Sequence, residues 1–160
     1  MIPAMSNENA FRVAVGELAQ QSAVLESVVT IITWGIVGVT DTVGRIALPN
    51  SVDRSTRIIR DVAPHRISDA GLLSELNDWL SAVTRAYQDR NTILHSVWIG
   101  PADDSPHFKT STKPLPRDPE SRKADEVLAV AAELELLATT KVADIIRRLP
   151  TAAPGPWVVY

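Results

Sequence analysis

The chain of 160 residues contains no cysteine. That absence removes disulfide frameworks, thiolate zinc sites and cysteine nucleophiles together, and it fits a reducing compartment. Nor does charge of one sign prevail: 16 Lys and Arg stand against 19 Asp and Glu, a formal net charge of −3. This balance argues against a surface coated in cations for bulk nucleic-acid binding, while leaving room for a local cationic site. Long hydrophobic runs are also missing. The most apolar stretch lies between Glu26 and Asp41 and is interrupted by Thr30, Thr33 and Thr40. It falls short of the roughly 18 uncharged apolar residues of a membrane span, so it reads as buried helix with no membrane partner. The N-terminal residues lack a charged start followed by an apolar signal core, and the expected location is the cytoplasm. No metal-ligand cluster, phosphate-cradling glycine loop or nucleophile elbow is present, and no cofactor is called for.

What is present is helical. With 45% hydrophobic and 22% charged residues, the composition is globular, and the length suits one domain over residues 1–150 followed by a tail, 151–160. Phe11, Val15, Leu18, Leu25, Val29 and Ile32 recur on one stripe, with Ser6 or Asn7 as N-cap and Gly35 or Gly38 as the end. A short helix is expected from Ser51 or Asp53 through Ile58, Ile59 and Val62, stopping before Pro64. Leu72, Leu76, Trp79, Leu80, Val83, Tyr87, Leu94 and Val97 then mark a long helix from about Ser68 to Trp98, capped by Ser68 or Asp69 and closed by Gly100-Pro101.

A connection rich in proline follows, from Gly100 to Asp118, within which His107-Phe108-Lys109-Thr110 suits a short extended piece. Asp118-Pro119-Glu120 has the form of a helix start. From there Val127, Ala131, Leu134, Ala138, Val142, Ile145 and Leu149 make a single seam ending at Pro150. The tail closes on the apolar Trp157-Val158-Val159-Tyr160, a candidate docking element. Each amphipathic helix must bury its stripe on another. The expected fold is therefore all-α: an antiparallel, up-and-down bundle of about four helices with the long connection before the last.

The chemistry-bearing residues are Arg90 and His95, late in the third long segment, with Asn91 beside them. Arginine forks onto phosphate oxygens at any useful pH, and histidine gives or takes a proton near neutrality. Together they suit RNA cleavage: His95 removes the 2′-hydroxyl proton or protonates the departing 5′-oxygen, while Arg90 stabilises charge on the phosphate. Such a reaction leaves a 2′,3′-cyclic phosphate and a 5′-hydroxyl. Positions five apart diverge by roughly 140° around an ideal helix, whereas Asn91 and His95, four apart, share a face. Helix distortion, a wrapping arginine or two protomers pooling residues would each reconcile the pair, and Asn91 is expected to orient His95.

Arg90-Asn91-Thr92-Ile93-Leu94-His95, with Asp89 before it and Ser96-Val97-Trp98 after it, resembles the signature of the HEPN superfamily. That signature is an arginine, usually followed by a polar residue, and a histidine after four to six intervening residues. The specific match is short, and the helix layout extends it loosely to most of the chain. The resemblance implies a helical bundle that often dimerises with its motifs facing each other. It also implies a metal-independent endoribonuclease of toxin–antitoxin, defence or RNA-processing type, with Arg90 and His95 catalytic and Asn91 supporting. RNA, a second copy of the chain and an antitoxin or other protein are the partners it suggests. Some members have lost catalysis and act as interaction scaffolds, and that alternative stays open here, as does an unrelated helical adaptor.

Blander roles compete for the same residues. Arg90 and His95 also suit a polar pair capping carbonyls at a helix C-terminus. Arg54, Arg57 and Arg60, every third residue on the short helix, suit either an RNA backbone or a solvated face interleaved with Asp53 and Asp61. Lys109 and Lys113, near His107, make the connection a candidate RNA-contacting flap or a polar loop. His65, after Pro64, reads as a loop residue. Trp34, Trp79 and Trp98 read as core at helical positions, and Glu133 and Glu135 point to different helix faces.

Overall fold

Helix α1, Asn7–Val37, follows directly from the first apolar stripe. The computed structural model describes residues 7–48, 51–98, 105–109 and 120–149. Ser6, Gly100-Pro101, Lys113, Asp118-Pro119, Pro150 and the 151–160 tail therefore lie outside the described residues. Within them are α2 (Asp41–Ala47), α3 (Val52–Arg66), α4 (Ala70–Leu94), β1 (Ser96–Trp98), β2 (Ser105–Lys109), β3 (Glu120–Arg122), α5 (Ala124–Ala138) and α6 (Thr140–Arg148). The protein is mainly helical, as the periodicities require. No described helix is by itself long and apolar enough to cross a membrane.

The chain divides into two compact units: residues 1–23 with 85–135, and residues 24–84 with 136–160. In the first, the buried apolar side chains are Phe11, Ala14 and Leu18 of α1, Ala86 and Ile93 of α4, and Val127, Val130, Ala131 and Leu134 of α5. In the second, α1 contributes Leu25, Val29, Ile32 and Ile36, α3 contributes Val52, Ile59 and Ala63, and α4 contributes Leu72, Leu76, Trp79, Leu80 and Val83. Ile67, Leu137, Ala138, Val142 and Ile145 complete it. Full burial of each Leu, Ile or Val is worth about 1.5–3 kcal/mol against exposure, which is what holds helices of such unequal length.

Several boundaries differ from the sequence expectation. The segment expected to remain helical to Trp98 ends at Leu94, and Trp98 sits in a strand instead. Antiparallel pairing Val97↔Phe108 and Trp98↔His107 joins β1 to β2, and Pro106↔Ser121 and His107↔Glu120 join β2 to β3. Valine and aromatic residues favour such pleated pairing. Pro106 stands in β2 opposite Ser121, beyond the residues 107–109 that pair with β1. Extended structure at His107, Phe108 and Lys109 matches the expected short piece.

Pairing of Glu120–Arg122 in β3 displaces the helix start from Asp118-Pro119-Glu120 to Ala124. Glu126 completes that new start: its Oε2 accepts from the amide of Lys123 at 3.0 Å, satisfying one of the orphan N-terminal donors. The last helix is not continuous either, because Thr139 (φ −115°, ψ −84°) breaks it into α5 and α6. Near the break the Leu137 carbonyl accepts from Trp79, whose Nε1–H donates to it at 3.0 Å. Helix α3 runs past Pro64 to Arg66, so His65 is helical. A proline this near the end forfeits one backbone bond, and Ile67 N–H to Ala63 O at 2.9 Å still closes the last turn.

Helix α2, absent from the sequence reading, rests on two glycines. Gly38 ends α1 at φ +83°, where its amide and that of Val39 both donate to the Trp34 carbonyl, at 2.8 and 3.1 Å. Gly44 is buried in α2 against the Trp34 ring. A Cβ there would meet Nε1, Cδ1 and Cε2 of the indole, none farther than 2.6 Å. Gly44→Ala is therefore expected to destabilise by about 1–3 kcal/mol through overpacking. At about 2–4 °C per kcal/mol, a thermal melt should show a lower Tm, and an unchanged Tm would mean that α2 lifts off at no cost.

Asp69 caps α4, as expected, through its Oδ1 and the Leu72 amide at 3.1 Å. Its other oxygen receives Arg148 Nη2 at 3.3 Å, while Arg148 Nη1 reaches Glu75 at 2.8 Å, so the end of α6 is tied to the start of α4. The Leu72 amide first, and then Arg148, hold the Asp69 carboxyl below the usual carboxylate range.

Candidate functional site

Ala86 and Ile93 turn one face of the end of α4 into the first unit's core, which leaves Arg90 half-buried and Asn91 exposed. His95 is exposed in the turn that ends the helix. The neighbouring element is α1, where Ser22 occupies a place on the apolar stripe between Leu18 and Leu25 and is only 1% exposed. A serine there must find a partner for its hydroxyl. It donates to the Leu18 carbonyl at 2.6 Å and accepts from Arg90 Nε at 3.2 Å.

Two further contacts fix the same guanidinium. Nη1 donates to Asn91 Oδ1 at 2.8 Å, and the guanidinium carbon lies 5.1 Å from the centroid of the Tyr87 ring. A cation over a ring face gains about 0.5–1 kcal/mol at an exposed site. An arginine side chain carries about 2 kcal/mol of rotamer entropy, and three contacts at its head group remove much of it before any ligand arrives. Nη2 makes no hydrogen bond among the described residues.

Asn91 links the two motif residues. Its side-chain oxygen, expected to serve His95, accepts from Arg90, whereas its main-chain carbonyl accepts the His95 amide at 3.1 Å. Arg90, Asn91 and His95 are thus joined through one residue in one unit. The capping alternative fits less well for Arg90, whose bonds run to a hydroxyl and an amide oxygen and not to helix-end carbonyls.

The other expected site residues are placed separately. Arg54, Arg57 and Arg60 are exposed on α3 and belong to the second unit. Arg57 pairs with Asp53 at 2.6 Å and Arg60 Nη2 donates to Ser81 Oγ at 3.1 Å, which suits the solvated face. Lys109 is the last residue of β2, opposite Ser96, and Lys113 falls outside the described residues. Trp79 is core, whereas Trp34 is half-buried with Arg45 5.8 Å from its ring centroid. Among the described residues no group of three or more His, Asp or Glu gathers as a metal centre requires.

Sequence reasoning missed Ser22 and read Tyr87 only as core. The available signal for Ser22 was a lone hydroxyl interrupting the stripe of Leu18 and Leu25. Tyr87 stands three residues before Arg90, the spacing at which helix side chains meet. Comparison with protein-family models, curated proteins and solved structures finds no match.

Proposed function

We propose that the chain is a metal-independent endoribonuclease of HEPN type, a toxin or defence effector acting on RNA in the cytoplasm. The observation that carries this reading is the immobilised Arg90 guanidinium, joined through Asn91 to an exposed His95. An imidazole nitrogen of His95 takes the proton of a ribose 2′-hydroxyl, and the 2′-oxygen attacks the adjacent phosphorus. The new P–O2′ bond forms as the P–O5′ bond breaks, and the leaving 5′-oxygen acquires a proton. Arg90 Nη2 bears on the non-bridging oxygens, where charge develops. A homodimer of helical bundles with its motifs in a common cleft would supply one imidazole for each proton transfer. Arg54, Arg57, Arg60, Lys109 and Lys113 serve in this reading as contacts to the RNA backbone, and an antitoxin as the restraining partner.

The same observation favours a second reading, a catalytically silent interaction domain, because Ser22 and Asn91 are the kind of partners that a structural arginine takes. Substrate chemistry separates the two. The ribonuclease cleaves an RNA oligonucleotide but not its fully 2′-O-methylated counterpart, which lacks the proton that His95 removes. Equal cleavage of both contradicts the mechanism, and cleavage of neither favours the silent domain.

A further inference from the structure

The buried hydroxyl of Ser22 has a neighbour on each side: the Leu18 carbonyl accepts its proton, and its own oxygen accepts from Arg90 Nε. Because the proton is committed to Leu18 at 2.6 Å, the lone pairs of Ser22 are turned to whatever donor approaches, and the donor present is a cation. With Nε taken by Ser22, Nη1 by Asn91 and one face of the guanidinium over Tyr87, the plane and direction of the group are set. We propose that Ser22, aided by Tyr87, is a positioning residue: it locks the Nε edge of Arg90 so that Nη2 is the atom that meets a phosphoryl oxygen. This rests on the ribonuclease reading for its catalytic consequence, but the locking itself does not.

Geometry at a reacting phosphate is demanding, and a misplacement of about 1 Å can cost on the order of 100-fold in rate. Ser22→Ala removes the acceptor without adding volume and leaves Arg90 in place with its charge. The expected result is a fall in kcat of about tenfold with little change in KM, the pattern of an interaction made chiefly in the transition state. Ser22→Thr, which keeps an acceptor hydroxyl and the bond to the carbonyl four residues back that Thr33 makes to Val29, is expected to recover most of the activity.

The second readout does not depend on cleavage. In the full chain labelled with 15N, the Arg90 Nε–H resonance, assigned by its loss in Arg90→Lys, should exchange slowly with water and move when 2′-O-methylated RNA is added. In Ser22→Ala it should exchange faster, while the RNA binds about as tightly. Unchanged exchange in Ser22→Ala overturns the proposal, as does altered exchange with kcat unaffected. If the wild type cleaves nothing yet RNA shifts the resonance in a Ser22-dependent way, the locking stands and the ribonuclease reading falls. If RNA leaves the resonance unmoved and nothing is cleaved, both fall.

Discussion

Replacing His95 by alanine is expected to reduce RNA cleavage by about 10²- to 10⁴-fold, the range contributed by a positioned general acid or base. The loss should be confined to chemistry. His95 is exposed in the turn after α4, and substitutions at such surfaces fall within about 0.5 kcal/mol of neutral. Circular dichroism and the melting temperature should therefore match the wild type. Arg90→Ala is expected to lose about 10²- to 10³-fold, the loss seen when one stabilising donor is removed. It should also cost some stability, because Ser22 then loses its charged donor. Arg90→Lys keeps the charge but cannot engage Ser22 and the phosphate at once, so it should recover little activity. Equal losses of melting temperature in the His95 and Arg90 variants would assign the pair to the fold.

The largest effect on stability is expected at Trp79. It is 4% exposed and its Nε1–H satisfies the Leu137 carbonyl at the break between α5 and α6. Trp79→Phe removes ring volume from the second unit's core and strands that carbonyl. An unsatisfied buried acceptor costs about 1–3 kcal/mol and the space adds to it, so a total loss of about 2–4 kcal/mol is expected. The melt should shift down by roughly 5–15 °C. Leu76→Ala, at a fully buried position of the same unit, empties space without touching a hydrogen bond. Faster amide exchange around Thr139 in Trp79→Phe but not in Leu76→Ala would identify the carbonyl as the cause. The same exchange pattern in both would reduce Trp79 to packing alone.

The sequence made the helical faces legible and the chain's breaks illegible, for one physical reason. Periodicity reports which side of a helix is buried, and Val127, Ala131, Leu134, Ala138, Val142 and Ile145 are indeed all buried. The same period continues across Thr139, so nothing local marks the break, and a carbonyl beside it is met by a donor 58 residues away in sequence. Likewise Asp118-Pro119-Glu120 carries every local sign of a helix start, yet Glu120 pairs with His107 in a sheet. Pairing of that kind is a tertiary fact that overrides propensity. At the site, Arg90, Asn91 and His95 were visible because they are close in sequence. Ser22 was not, since its partner lies 68 residues on and a hydroxyl on an apolar stripe carries no hint of which donor it will meet.

The most direct measurement is cleavage of total RNA by the purified full-length protein in EDTA, with His95→Ala alongside and the product ends analysed. Fragments ending in 2′,3′-cyclic phosphate and 5′-hydroxyl, absent with the variant, are the expected result. Cleavage that persists in His95→Ala, or a folded wild-type protein that cleaves nothing, would contradict the assignment of Arg90 and His95 as a ribonuclease pair.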